Sequence, residues 1–286
     1  MLRRSELVGI VMLLPFLVWL VVFAYAPLAG LVVSFRAFSW SNPFGGRWVG
    51  FENFRFLFGD VFFRNAAVNT LIFVVLKSLL ALSLPAFLAF SLRGAKKSTS
   101  YTFSGLILVT YFTSWVIMSL AVRIAVSPQS WAGLIGGTSL LNVPSDARWV
   151  FIVSDVFKSF GWVFFVYLLS FRSIDEEYWE LAELEGATKT QVFLRVAAPM
   201  LAPTIAVVTL LTVTGFFDSS VDQALNLSHP GIYSGSDVIG SYAYRTAIRT
   251  GHIARGTAAS VVEIVLRIMV VGIAFGVGSR ALRRLR

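Results

Sequence analysis

Two pairs of opposite charges stand inside otherwise apolar stretches of this 286-residue chain: Asp155 with Lys158, three positions apart, and Glu263 with Arg267, four apart. Both spacings put the partners on one face of a helix, where they can neutralise each other. An ionisable side chain costs about 3 kcal/mol at the centre of a membrane helix, so each needs a counter-charge or water. Glu263 and Arg267 read as a structural intramembrane ion pair. Asp155 and Lys158, with Trp162 one turn further on, fit either a structural pair or the lining of a polar route across the membrane. Lys77 and Arg123 are embedded in apolar sequence with no evident in-chain partner; Arg123 is expected to snorkel outward, and Lys77 has no assigned role.

Other kinds of chemistry are missing. The chain has no cysteine and two histidines, His229 and His252, far apart in polar connecting sequence. This removes disulfides, thiolate metal sites, thiol catalysis and a lipid-modified N-terminal cysteine, and argues against any metal site. No nucleophile motif, histidine cluster or facing pair of catalytic carboxylates supports an intramembrane enzyme. The dipeptide Gly-Lys occurs nowhere, so no Walker-type phosphate loop is present and any ATP must be hydrolysed by another subunit.

The elements that position these residues are membrane helices. At 57% hydrophobic and 14% charged, the chain has more apolar surface than one soluble core hides. The net charge of +9 falls between long apolar runs, which marks the cytoplasmic ends of membrane helices and not a nucleic-acid surface. Six segments reach the roughly 20 residues needed to cross the hydrocarbon: Val8 to Val33, Ala66 to Phe90, Tyr101 to Val126, Trp149 to Phe171, Val196 to Phe217 and Thr257 to Val277. The first has a cleavage-like Ala24-Tyr25-Ala26, but its apolar run is too long for a signal peptide and reads as a retained anchor.

With both termini cytoplasmic, the inside segments carry Arg3, Arg4, Arg93, Lys96, Lys97, Arg172, Lys189, Arg195, Arg280, Arg283, Arg284 and Arg286, against eight Lys/Arg in the longer outside segments. Those outside segments are Ser34 to Asn65, Ser127 to Arg148, with turns expected at Gly133, Gly136, Gly137 and Pro144, and Asp218 to Gly256. Gly272 and Gly276 have the spacing that permits close helix approach in span six.

One inside loop breaks the basic trend. From Arg172 to Pro199 six carboxylates face three basic residues. An acidic loop gains nothing from anionic headgroups, so it is either a solvated face or the seat of a protein partner. Ser173 with Glu176, and Thr188 with Gln191, have capping-box spacing for two short helices, and Gly186 between them can take the left-handed conformation that ends the first. Pro199 ends or kinks the start of span five. Glu180 has no basic residue four positions on and repels Glu176, which leaves it available to a basic groove elsewhere.

Glu180-Leu181-Ala182, then Gly186, then Val196-Ala197-Ala198-Pro199 closely resembles the Glu-Ala-Ala loop of permease subunits in binding-protein-dependent ABC importers; it departs at Leu181 and Ala198, where the family usually has Ala and Leu. Val49 to Phe54 and Asn69-Thr70-Leu71 extend the likeness to most of the chain. Ser114-Trp115, Ser154-Asp155 with Lys158, Gly161-Trp162 and Tyr242 to Arg245 look most like the branch importing oligosaccharides or polysaccharide fragments.

The resemblance implies an all-α type I importer permease fold of six transmembrane helices in a bacterial or archaeal cytoplasmic membrane. Residues 1–65 would be an anchor helix and external segment, 66–280 the transmembrane domain with a coupling loop at 172–199, and 281–286 a basic tail. It further implies a second homologous permease, two ATPase subunits that bind ATP and Mg, and an external solute-binding protein, with no cofactor in this chain. Glu180, Ala182, Gly186 and Pro199 would couple it to the ATPase. A sugar pathway needs aromatic faces and polar groups, which Tyr111, Trp115, Asp155, Lys158, Trp162, Asp218 and Gln223 would supply. The rival readings are an importer of another solute, such as a glycerol phosphoester, and a channel needing no ATP.

Overall fold

The structure, a computed structural model, describes residues 4–39, 41–42, 45–130 and 139–284. The turns expected at Gly133, Gly136 and Gly137, and the charges Arg3 and Arg286, lie outside the described residues. Among those described, helices form nearly everything and an isolated antiparallel bridge joins Arg36 to Trp48. In chain order the main ones are α1 (Arg4–Leu20), prolonged by a π turn (Val21–Tyr25) and a 3-10 stretch (Ala26–Phe35); α2 (Glu52–Gly59); α3 (Val61–Ser91); α4 (Lys97–Phe112); α5 (Trp115–Ala125); α6 (Pro144–Arg172); α7 (Glu176–Leu184); α8 (Lys189–Val192); α9 (Ala202–Leu227); and α10 (Ile253–Arg284), with short helical turns between Pro230 and Arg249. Five helical stretches are long and apolar enough to cross a membrane, and the bent pair α4–α5 makes a sixth if counted as one span.

Two compact units are present. The smaller comprises Met1–Asp60 and Ala243–Val262. Its order comes from aromatic packing: Phe35 stacks on Trp48 with centroids 5.6 Å apart and meets Phe54 at 5.1 Å. Asn53 Nδ2 donates to the carbonyls of Ser34 and Arg36 at 2.9 and 3.2 Å, which ties α2 to the end of the first span. Arg255 lies 3.7 Å over the Phe56 ring.

The larger unit comprises Val61–Tyr242 and Glu263–Arg286. Its two apolar clusters are built on α6, one around Phe73, Phe151 and Phe217, the other around Phe90, Phe164, Phe171 and Trp179. Gly161 lets α4 cross α6 with backbone in contact: a Cβ there would stand 2.4 Å from the Ile107 carbonyl oxygen. No described atom lies within 4 Å of where a Cβ would stand at Gly272 or Gly276, so among the described residues their spacing serves no close approach.

Two spans differ from their expected form. The third is not one helix: α4 and α5 meet at 103°. Thr113 and Ser114 are extended at the corner, and Ser114 Oγ accepts from the Ile117 amide as the N-cap of α5. A serine that offers the backbone an alternative bond starts a new helix where an uninterrupted apolar run hides the break. The fifth span begins later and runs further, from Ala202 to Leu227, so Asp218 to Gln223 belong to the helix and not to an external loop. A π turn over Phe193–Ala197 and a three-residue helix at Ala198–Met200 occupy its expected start, because Pro199 and Pro203 each lack an amide donor.

Candidate functional site

Two buried charges of opposite sign meet where α3, α6 and α9 pack. Lys77 of α3 is 0% exposed and Asp155 of α6 is 1% exposed. The Lys77 ammonium donates to Asp155 Oδ2 at 2.6 Å, to Ser220 Oγ at 2.8 Å and to Gln223 Oε1 at 2.8 Å. Three donors thus meet three acceptors, the condition under which a buried ammonium is tolerated. The Phe73 ring, with Nζ 4.8 Å from its centroid, adds its negative face. Gln223 Nε2 donates to the Phe151 carbonyl at 2.9 Å and to Ser154 Oγ at 2.8 Å. Only this orientation of the amide satisfies both the lysine and that carbonyl.

Asp155 also faces the other way. Its Oδ1 accepts from Ser219 Oγ, and that hydroxyl oxygen accepts from the Trp115 indole N–H at 3.0 Å. Here a cavity of about 650 Å³ opens, walled by Tyr111, Trp115, Asp155, Lys158, Trp162 and Asp222 among others. Tyr111 and Trp162 stack with centroids 5.6 Å apart and planes 20° from parallel. Lys158 Nζ donates to the Tyr111 carbonyl at 2.8 Å and sits 5.6 Å from the centre of that ring. Flat aromatic faces beside a hydroxyl, carboxylates and an ammonium suit a polyhydroxylated ligand, whose rings stack and whose hydroxyls replace water bonds.

Of the expected pathway residues, Tyr111, Trp115, Asp155, Lys158 and Trp162 come together at this cavity. Gln223 does not line it and stands buried behind Asp155. Asp218 is elsewhere, bonded to Arg267. The ion pair expected along one helix, Glu263 with Arg267, is not formed, and of the two readings open for Asp155 and Lys158 the mutual pair is not formed either. Asp155 pairs with Lys77 across helices, while Lys158 turns to the Tyr111 carbonyl. Arg267 reaches Asp218 Oδ1 at 2.7 Å on α9, and the Glu263 carboxylate lies beside Gly240. Helical spacing only permits a pair, and a better-placed acid on a neighbouring helix takes the cation. Arg123 does not snorkel freely: it donates to the carbonyls of Asn226 and Leu227 at 2.7 and 3.3 Å, capping the end of α9. Sequence reasoning missed Ser219 and Ser220 and left Lys77 without a partner. The available signal was that a buried lysine requires an acid, and few acids lie inside the spans.

The acidic loop forms the two helices its pattern predicts. Gly186 has φ +71°, the left-handed value that ends α7, and Thr188 with Gln191 closes a capping box on α8. The first expected box does not form: Asp175 is the N-cap of α7, and Ser173 Oγ donates instead to the Ser170 carbonyl. One face of α7 is anchored by Trp179, 5% exposed, edge-on to Phe90 at 6.1 Å, with the Arg93 guanidinium 4.4 Å over its ring. Glu180, Leu181 and Leu184 stay exposed, Leu184 at 84%. Leu181 and Leu184 thus give this acidic helix an exposed apolar edge.

No family model matches the chain. Protein LplB of Bacillus subtilis (strain 168) is 26% identical over 274 residues, covering 91% of this chain and 85% of that protein. The polygalacturonan/rhamnogalacturonan transport system permease protein YteP of the same organism is 23% identical over 277 residues, covering 92% and 85%. Among solved structures, a bacterial ABC transporter involved in the import of the acidic polysaccharide alginate superposes with a TM-score of 0.84 at 27% identity, covering 97% of this chain and 96% of that one. The MetNI methionine ABC transporter shares the fold at a TM-score of 0.55 and 15% identity, covering 82% of this chain and 99% of that one.

Proposed function

We propose that this chain, a permease subunit of a binding-protein-dependent ABC importer, forms with a second permease the pathway for an oligosaccharide and couples its passage to ATP hydrolysis on separate ATPase subunits. The observation that carries the solute is the cavity in which Tyr111 and Trp162 stack beside Trp115, Asp155, Ser219 and Asp222. Relatives named for polygalacturonan, starch degradation products and arabinooligosaccharides support the sugar class.

Coupling is assigned to the loop at 172–199. Glu180 bonds a basic groove of the ATPase, Ala182 permits close approach, Gly186 sets the angle between α7 and α8, and Pro199 stiffens the return to α9. ATP and Mg belong to the partner subunits, and this chain conducts without catalysing. Both termini face the cytoplasm, on the distribution of Lys and Arg. The working cycle is alternating access: ATP closes the ATPase pair, draws the two coupling loops together and opens the cavity toward the loaded binding protein.

The test is the ATPase activity of the reconstituted complex with and without binding protein and oligosaccharide. Glu180→Lys reverses charge at an exposed position and is expected to leave the complex assembled while abolishing stimulation. Full stimulation in that variant removes the coupling assignment, and solute flux without the ATPase subunits would point to a channel.

A further inference from the structure

Lys77 does not line the cavity just described, yet it stands one residue behind its wall. Its three hydrogen bonds leave it no spare N–H to offer a ligand. A connected series leads away from it: Lys77 Nζ donates to Asp155 Oδ2, Ser219 Oγ donates to Asp155 Oδ1, and Trp115 Nε1 donates to Ser219 Oγ. Trp115 is the first residue of α5, directly after the corner at Thr113 and Ser114.

We infer that Lys77 is a positioning residue of the translocation pathway: through Asp155 and Ser219 it fixes the Trp115 indole, and with it the corner of the third span that forms one side of the cavity. The charge supplies the reason for a lysine at this depth. An aspartate in an apolar wall without a counter-ion swings toward water in the cavity, and that response withdraws the acceptor from Ser219. With the ammonium behind it, the carboxylate stays turned toward Ser219, and a hydroxyl that donates to a carboxylate is the stronger acceptor for the Trp115 indole. Gln223, held by Phe151 and Ser154, keeps the lysine from following Asp155. The inference rests on reading the cavity as the solute route.

Because the chain has no native cysteine, geometry at the corner can be read by single cysteines. In the full complex in nanodiscs, the labelling rate of Thr113→Cys by a polar maleimide is divided by that of Ser159→Cys, which lines the same cavity but bonds its own helix at Val156. Lys77→Met and Ser219→Ala are both expected to change this ratio in the same direction by about five-fold, the worth of one hydrogen bond. A purely structural lysine would change both rates together or lower the amount of complex, leaving the ratio alone. Should Lys77→Met fail to accumulate, Ser219→Ala decides, since it cuts the series without touching the ion pair. An unchanged ratio in Ser219→Ala, or in an assembled Lys77→Met complex, overturns the inference. Protection of Thr113→Cys by oligosaccharide is scored separately: a shifted ratio without protection sinks the solute reading and leaves the positioning role standing.

Discussion

Trp179→Ala isolates what holds the acidic loop in place from what the loop offers a partner. The indole is the largest buried group on α7, pressed against Phe90 and covered by Arg93, while Ile174 and Val192 are the other fully buried apolar side chains between residues 174 and 192. Truncating a buried tryptophan costs about 3–5 kcal/mol, and the lost guanidinium stacking adds about 0.5–1 kcal/mol. Trp179 stands on the short helix α7, outside the membrane spans, so the cost falls on the seating of the loop and not on the transmembrane helices. A loss of about 3 kcal/mol lowers the ratio of seated to unseated loop roughly 100-fold. The assay is the ATPase rate of proteoliposomes with loaded binding protein over the rate without it, alongside the yield of intact complex. Stimulation is expected to fall by about ten-fold or more at near-normal yield, since the ATPase surface restores part of the seating by mass action. Trp179→Phe, which keeps a ring over Phe90, should recover most of it. Full stimulation in an assembled Trp179→Ala complex would refute the view that this anchor transmits the stroke.

Other outcomes follow from single contacts. Gly161→Leu drives a side chain into the Ile107 backbone, where even a Cβ stands at 2.4 Å; overpacking of about 1–3 kcal/mol should lower the unfolding midpoint and yield of the complex, and a wild-type midpoint contradicts the α4–α6 contact. Arg267→Met leaves Asp218, inside a membrane span, without the cation it meets at 2.7 Å; the complex should lose up to about 3 kcal/mol, read as a lower unfolding midpoint that Asp218→Asn restores, and an unchanged midpoint would show that water or another group already serves the acid. Single cysteines at Lys189 and at Gly59, where a Cβ meets nothing within 4 Å, read topology directly: an impermeant thiol reagent should reach the first from inside and the second from outside.

Much of this molecule is legible in its residue order because the membrane sorts residues one segment at a time. Apolar length marks the spans, Lys and Arg bias their direction, and local backbone chemistry writes the acidic loop: Gly186 takes φ +71° and Thr188 caps α8 on information contained within a few residues. The same locality explains the errors. Asp155 and Lys158, or Glu263 and Arg267, look like partners because a helix brings neighbours in sequence together, whereas a buried charge is satisfied by whichever group packing delivers. Lys77 and Asp155 are 78 positions apart, and Asp218 and Arg267 49 apart. The corner at Thr113 is equally hidden, since hydropathy measures transfer to lipid and not the direction of a helix axis. Sequence alone determined that the chain crosses a membrane and presents an acidic helix–turn–helix. Only the tertiary structure decided which charges neutralise each other and that a cavity lies beside them, because those outcomes depend on distances between helices that no single segment encodes.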